Sequence, residues 1–336
     1  MKVSVVIPTY NRGHVVGEAI ASALAQTHRN LEVVVVDDGS TDDTPARVVR
    51  VPDRRMRYVR VPHAGVSAAR NAGIAVASGD LVSFLDSDDL WRPGKLALEI
   101  ATLAAYPAAG GVFCDLEKRD GATVVPSFMR ATKVFSRLLA GDRAYPDGLL
   151  LSPRALHVCL LQEVPIKTPA LTLRRAPLHE AGGFDERWSS SEDWEFLLRF
   201  TRRQPLVYLD RPLAVIRVSP DSLHRRDQER GDRTMLRLLA TERRRLVDRD
   251  ARRAAAAGIV ERAKHLSWYY RDRGRRWAAM RACLHGFRLA PSPELLLRAL
   301  MVWGPPRPRR YLARAVLPRL GAGMLWCGEV LSGGFV

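Results

Sequence analysis

Apolar and polar positions alternate in blocks along the first ninety residues. Val3–Ile7 is a short apolar run and predicts a strand. His14–Ala25 carries Val16, Ile20, Ala23 and Leu24 at helical spacing. Leu31–Val36 is an almost unbroken apolar run, the pattern of a strand covered on both faces. Thr44–Val49 reads as a short helix after Asp42-Asp43, and Met56–Val61 as a third strand. Ser67–Ala77 reads as a helix with Ser67 as its N-cap, and Leu81–Leu85 as a fourth strand. The order β-α-β-α-β-α-β implies right-handed crossovers, hence an α/β fold with a mostly parallel, doubly wound sheet.

Beyond Trp91 the pattern loosens. Leu96–Ala105 predicts a helix and Val112–Cys114 a short strand, while residues 119–165 look irregular and hold several prolines. Ala170–Leu173 predicts a strand, Asp193–Thr201 a helix, and Leu206–Leu209 and Ala214–Val218 two more strands. From Arg225 to Gly321 the pattern is helical and rich in Ala, Arg and Leu, and Ala254–Leu289 could form one helical hairpin.

Charge sharpens this division. The chain of 336 residues has a net charge of +17, but from Arg225 onward there are 25 Lys and Arg against 10 Asp and Glu, and before it 28 against 26. A domain of residues 1–224 followed by a basic helical region 225–336 is the expectation. Four scattered cysteines, Cys114, Cys159, Cys283 and Cys327, form no C-x-x-C pair, which argues against a zinc site or disulfide framework and fits a reducing compartment. The N-terminus reads as a strand rather than a signal peptide, and no window of 18 uninterrupted apolar residues predicts a membrane span.

The candidate chemistry sits at strand ends. Asp86-Ser87-Asp88-Asp89 closes the fourth strand. Clustered carboxylates repel one another unless a cation neutralises them, and hard oxygen ligands suit Mg²⁺ or Mn²⁺ together with substrate phosphates. The competing reading is an acidic N-cap for a helix near Trp91-Arg92-Pro93. The first strand ends in Pro8-Thr9-Tyr10-Asn11-Arg12. Pro should stop strand pairing there, and an aromatic ring and a guanidinium could meet a base and a phosphate. The second strand ends in Val36-Asp37-Asp38-Gly39-Ser40-Thr41-Asp42, where a carboxylate could accept from a base imide or a ribose hydroxyl. Arg70 and Asn71 lie on a helix of small residues and could face solvent or a nucleotide. In a parallel sheet these strand ends converge on one crevice.

Pro-Thr-Tyr-Asn-Arg at 8–12, Val-Asp-Asp-Gly-Ser-Thr-Asp at 36–42, Ala-Arg-Asn-Ala-Gly at 69–73 and Phe-Leu-Asp-Ser-Asp-Asp at 84–89 resemble, in order, the motifs of family 2 glycosyltransferases. The likeness covers about residues 1–222. It implies a GT-A fold with a nucleotide-binding half, 1–90, and an acceptor half, 91–224. It also implies inverting transfer from a nucleotide-diphosphate sugar. Pro8, Thr9, Tyr10, Arg12, Arg70 and Asn71 would belong to the donor site, with Pro8 and Tyr10 lining the base pocket. Asp38 would bond the base, commonly uracil, which points to a UDP-sugar. Asp88 would be the main ligand of a Mg²⁺ or Mn²⁺ ion, with Asp86 and Asp89 beside it. Asp193 would be the general base. Glu192 and the loop Gly182-Gly183-Phe184-Asp185 would shape the acceptor site for a glycan or lipid-linked hydroxyl. Taken alone, Glu192-Asp193 could simply complement a helix dipole.

Arg217 opens a segment resembling the family's loop over the diphosphate, with Ser219 where relatives often carry His, and His224 nearby. In the basic region Trp268, Tyr269, Tyr270 and Trp277 interleave with arginines, and apolar residues of 295–303 and 311–317 lie beside Arg298, Arg309, Arg310, Arg314 and Arg319. Such helices can adsorb to an anionic membrane surface, which predicts a cytoplasmic protein peripheral to the inner face; a plain helical subdomain with a solvated Arg face is the alternative. A nucleic-acid module is disfavoured because the acidic crevice would repel a polyanion. A nucleotidyltransferase would need a Gly-rich loop, which Pro8–Gly13 lacks, and no G-x-G-x-x-G, Walker A, H-E-x-x-H or G-x-S-x-G element is present.

Overall fold

A computed structural model of the protein describes residues 1–139, 145, 147–218 and 228–304. The first ninety residues alternate as expected: β1 (Val3–Thr9), α1 (Val16–Leu24), β2 (Leu31–Asp37), α2 (Thr44–Val49), β3 (Met56–Arg60), α3 (Val66–Val76) and β4 (Leu81–Phe84). Every residue of β1 and β2 is buried, which explains their unbroken apolar runs. The four strands lie in the order β3-β2-β1-β4, all parallel, with Val3 opposite both Leu31 and Leu81. Helix α3 sits so close to β1 that a Cβ on Gly73 would come within 2.4 Å of Val6 Cγ1.

The strand β1 runs through Pro8 to Thr9, with Pro8 opposite Val36. The expected stop at Pro8 does not occur because pairing with β4 ends at Val6–Phe84, so the proline nitrogen faces a side with no ladder to break. Ser67 is not the N-cap of α3. Gly65, at φ 96°, takes that place, and Ser67 Oγ instead donates to the Trp188 carbonyl.

The second half completes the sheet. It contains β5 (Leu90–Trp91), α4 (Lys95–Ala105), β6 (Gly111–Asp120), β7 (Thr123–Val125), the single turns α5 (Phe128–Ala131) and α6 (Phe135–Leu138), and β8 (Leu149–Leu151). Then follow α7 (Pro153–Leu160), a 3₁₀ turn at Thr168–Ala170, β9 (Leu171–Arg174), α8 (Arg175–Ala181), α9 (Glu192–Phe200) and β10 (Leu206–Val218). The order β3-β2-β1-β4-β9-β6-β10-β5 makes a mixed sheet. β9 runs antiparallel between β4 and β6, while β6 and β10 are parallel. β10 is one strand rather than two; register shifts on either side of Pro212 absorb the residue that suggested a break. Trp91 lies in β5, and α4 starts after Gly94 with no side-chain cap, so the acids at 86–89 do not cap a helix.

Four further helices follow: α10 (Gln228–Arg245), α11 (Arg249–Asp272), α12 (Arg276–Leu289) and α13 (Pro293–Met301). α11 and α12 form the expected hairpin. Residues Met1–Pro305 form one compact unit. Helix α11 packs on α7 so tightly that a Cβ on Gly258 would meet the Leu161 carbonyl oxygen at 2.1 Å. Arg154 adds ion pairs to Asp248 and Asp250 at 2.8 and 2.9 Å. The expected boundary at 224, Ser219, His224, the arginines at 309–319 and Cys327 lie outside the described residues.

Candidate active site

The loops after β1 and β2 interlock at the carboxyl edge of the sheet. Asn11 is held at φ 51°, a strained left-handed conformation for a residue with a side chain. Its Oδ1 accepts from the amides of Thr41 and Asp42 at 2.8 and 3.3 Å, while its own amide donates to Ser40 Oγ at 2.9 Å. These bonds fix Tyr10 and Arg12 on either side. The Tyr10 ring is 40% exposed and stacks on His63, with centroids 4.1 Å apart and planes 17° from parallel. Thr9 Oγ1 is buried with no hydrogen-bond partner among the described residues.

Asp38 is buried beside this stack. Its carboxylate accepts from the amides of Ala64 and Gly65 at 2.8 and 2.9 Å and meets His63 Nδ1 at 2.8 Å. Both oxygens therefore anchor the loop leading into α3. Pro8 is buried within β1.

The acids after β4 have distinct surroundings. Asp86 accepts from Arg70 Nη2 at 2.9 Å and from Thr168 Oγ1 at 3.0 Å. Asp89 is deeply buried and accepts from the Arg217 amide at 2.9 Å. Burial pushes its carboxyl well above the usual range, and the charges of Asp86 and Asp88 add to that. Asp88 is raised by burial and by Asp86, and the cations Arg12 and Arg217 oppose the rise. Only its own backbone amide bonds its carboxylate among the described residues. Arg217 Nε donates to the Asp88 carbonyl at 2.6 Å, and Arg217 also pairs with Glu18.

This donor chemistry fits a hard divalent ion, because a cation would relieve the repulsion that lifts Asp88 and Asp89. The expected set of three converging carboxylates is not present. Among the described residues no three His, Cys, Asp or Glu side chains form a metal cage. The reason lies in the bonds above: Asp86 is spent on Arg70 and Thr168, and Asp89 on the Arg217 backbone. A magnesium-type site needs only one or two protein carboxylates when phosphates complete it.

Arg70 ties this edge to the second half of the chain. It is buried, with Nη1 2.7 Å from Glu192 Oε1 and Nη2 at Asp86 and, at 3.3 Å, Thr168. Its two terminal nitrogens are thus engaged by Glu192, Asp86 and Thr168, while Nε has no partner among the described residues. Asn71 is similarly engaged: its amide donates to the Phe184 carbonyl and Glu186, and its Oδ1 accepts from the Phe184 amide, all at 2.8–2.9 Å. It pins the Gly182-Gly183 loop, both of whose glycines have positive φ.

Helix α9 begins at the other end of this bridge. Ser191, at φ 61°, is the second strained non-glycine residue. Burial raises the Glu192 carboxyl, Arg70 pulls it down, and Asp193 pushes it up. Asp193 is half-buried, and its Oδ1 accepts from the Trp194 amide at 2.8 Å. Trp194 is buried and donates Nε1 to the Leu160 carbonyl at 2.6 Å, which locks the first turn. The structure therefore groups Arg12, Asp86, Asp88, Asp89 and Arg217, and links them through Arg70 to Glu192 and its neighbour Asp193. His63 and Thr168 belong to the site and were not foreseen. His63 directly precedes the Ala-Gly step into α3, the one local signal that could have marked it.

A mixed α/β sheet carries acids after β2 and β4, and Arg70 links those after β4 to the acidic start of α9. Residues 4–144 match the model of "Glycosyl transferase family 2". An uncharacterized glycosyltransferase of Rickettsia felis is 47% identical over 219 residues, 65% of this chain and 33% of the relative. The UDP-Glc:alpha-D-GlcNAc-diphosphoundecaprenol beta-1,3-glucosyltransferase WfgD of Escherichia coli is 39% identical over 102 residues, covering 30% of this chain and 40% of that protein. The chain spans about a third of the length of the first of these curated relatives. The S. aureus TarS 1–349 structure with UDP-GlcNAc superposes with a TM-score of 0.65 at 20% identity, over 87% of this chain and 82% of that 1–349 chain.

Proposed function

We propose that the protein moves a sugar from a UDP-sugar to a hydroxyl of a glycan or lipid-linked acceptor, with inversion and with a bound Mg²⁺ or Mn²⁺. The observation that carries the reading is the Arg70 bridge, which joins Asp86 at the donor edge to Glu192 beside Asp193. The relative WfgD uses UDP-Glc by its name, and TarS has been captured with UDP-GlcNAc.

In this reading Tyr10 and His63 bound the base, while Arg12 and Arg217 face the diphosphate. Asp88 holds the metal, which would offset charge developing on the leaving diphosphate. Asp193 takes the acceptor proton through Oδ2, which has no partner among the described residues, while its bond to the Trp194 amide orients the group. Fixing donor and acceptor in line supplies much of the rate. Asp193→Asn should fold normally and lose about 10²-fold or more of its transfer rate. The product's anomeric configuration, read by NMR, should be opposite to the donor's. A near-normal rate, or retention, overturns the assignment.

A second element of the reading concerns α13. It buries Leu295 and Ala299 yet exposes Leu296, Leu297, Leu300 and Met301 on its other side. Trp277 and Trp303 stand nearby as an exposed pair with ring centroids 4.8 Å apart. Apart from Glu294 and Arg298 the helix is apolar on both sides, which suits an interface. No described helix is long and apolar enough to cross a membrane. We assign this end to adsorption on an anionic membrane. Failure to float with phosphatidylglycerol vesicles at low salt overturns that assignment.

A further inference from the structure

Arg217 is fixed at its root and along its arm, beside the acids that follow β4. Its amide donates to Asp89 Oδ1 at 2.9 Å, and its Nε donates to the Asp88 carbonyl at 2.6 Å. The guanidinium is thereby held next to Asp88, near the end of β10. Its two outer nitrogens differ in their surroundings. Nη1 donates to Glu18 Oε2 of α1. Nη2 is shut off from solvent and has no hydrogen-bond partner among the described residues. A buried charged donor without a partner is costly, so this donor set is incomplete on those residues alone.

Glu18 is the loose side of the pair. Its side chain is 59% exposed, against 26% for Arg217, and Arg217 is the only partner of its carboxylate among the described residues. The face of α1 that packs on the sheet carries Val16, Ala19, Ile20 and Ala23, so Glu18 is not needed to dock the helix. It lies in the first turn of α1, where the helix dipole favours an acidic side chain. Glu18 can therefore leave Arg217 and keep a favourable electrostatic setting. A carboxylate and a phosphate both offer arginine a pair of anionic oxygens, so the same guanidinium accepts either.

We propose that Glu18 is a placeholder for a phosphate oxygen: its carboxylate holds Arg217 Nη1 until the donor's diphosphate arrives, then gives it up, and so sets how tightly the nucleotide is held. This rests on the transferase reading, in which Arg217 faces the diphosphate and Asp88 holds the metal. The exchange swaps one anion for another on a guanidinium that keeps its own anchors. Displacing Glu18 lowers the apparent affinity of any ligand that uses Arg217, as for any site whose competent form must first be released. Ion pairs this exposed are weak, so the factor is small, about two- to fivefold. The same competition favours departure of the nucleoside diphosphate after transfer.

The test measures binding of UDP and of GDP to the full chain with Mn²⁺, by calorimetry. Glu18→Gln keeps the shape and removes the charge, and should bind the nucleotide about two- to fivefold more tightly than the wild type. Tightening is a gain that damage to the fold does not produce. Arg217→Gln should bind about tenfold more weakly, and adding Glu18→Gln to it should change nothing further, because the placeholder then has nothing to hold. Glu180→Gln makes the same charge change at an exposed position of α8 and should bind as the wild type does. Unchanged or weaker binding by Glu18→Gln overturns the proposal. Equal tightening in the Arg217→Gln background, or by Glu180→Gln, also overturns it, because only the loss of a negative charge would then be at work. Binding of GDP in place of UDP, with the same dependence on Glu18, supports the placeholder and refutes a UDP-sugar donor. No binding of either nucleotide by the wild type or by Glu18→Gln refutes the transferase reading, and the placeholder falls with it.

Discussion

Replacing Arg70 by Met removes the cation between two carboxylates while keeping most of the side-chain volume. Arg70 makes ion pairs of 2.9 Å to Asp86 and 2.7 Å to Glu192, and its own side chain is only 4% exposed. Removing one partner of a buried ion pair costs about 3–5 kcal/mol, because the remaining charge is left desolvated. The Asp86 side chain is 29% exposed and partly screened, so Glu192, at 13%, should carry most of the loss. The sign of the pH dependence follows from Glu192, whose folded carboxyl is already raised above 4.5 by burial despite Arg70. A raised acid holds its proton more tightly when folded, so its effect on stability worsens as pH climbs from about 4.5 through the folded value. Without Arg70 that folded value rises further and the unfavourable window widens upward. Urea unfolding should therefore show a loss of about 3–5 kcal/mol at pH 8 and a smaller one at pH 5. Arg70→Lys keeps the charge but cannot span both carboxylates, and should fall between the two. A loss below about 1 kcal/mol at pH 8, or equal losses at both pH values, would refute the bridge as described.

Three further outcomes can be measured. Lys95 and Glu99 form a fully buried pair at 2.8 Å beneath β4, so Lys95→Met should cost about 3–5 kcal/mol in chemical denaturation, and adding Glu99→Leu should restore most of it; a neutral single variant would show that the pair is not needed. Gly258→Ala should lower stability by about 1–3 kcal/mol in thermal unfolding by driving α11 away from Leu161, and an unshifted transition would contradict that close approach. Tyr10→Ala should weaken UDP binding by about tenfold, since ring stacking contributes on the order of 1–3 kcal/mol; isothermal titration showing unchanged affinity would place the base elsewhere.

The first ninety residues were legible because each strand is buried on both faces, so burial and sequence pattern coincide at Val3–Ile7 and Leu31–Val36. Legibility failed where tertiary partners overrule local preference. Val112–Cys114 grows into a ten-residue strand because Asp115 and Glu117 are buried there. Asp115 accepts from the Leu116 and Met129 amides, the latter fourteen residues away. Lys95 and Glu99 look like a solvated helical pair in sequence, and nothing local reveals that Thr172 and Trp91 enclose them. The acidic strand ends were visible as candidates, but their division of labour was not. Arg70 finds Glu192 across 122 positions, and Asp38 spends its oxygens on the loop at 63–65.

The antiparallel strand β9 has a bearing on how this chain can be cut or recombined. It closes the open flank of β4 with residues that arrive some ninety positions later, and Trp91 Nε1 reaches back to the Pro169 carbonyl at 2.8 Å. A fragment ending near residue 90 would carry a bare ladder edge, an invitation to mispairing and aggregation. A chimaera that exchanges the second half of the chain must therefore keep residues 168–174 with the first ninety, grafting around that stitch rather than through it.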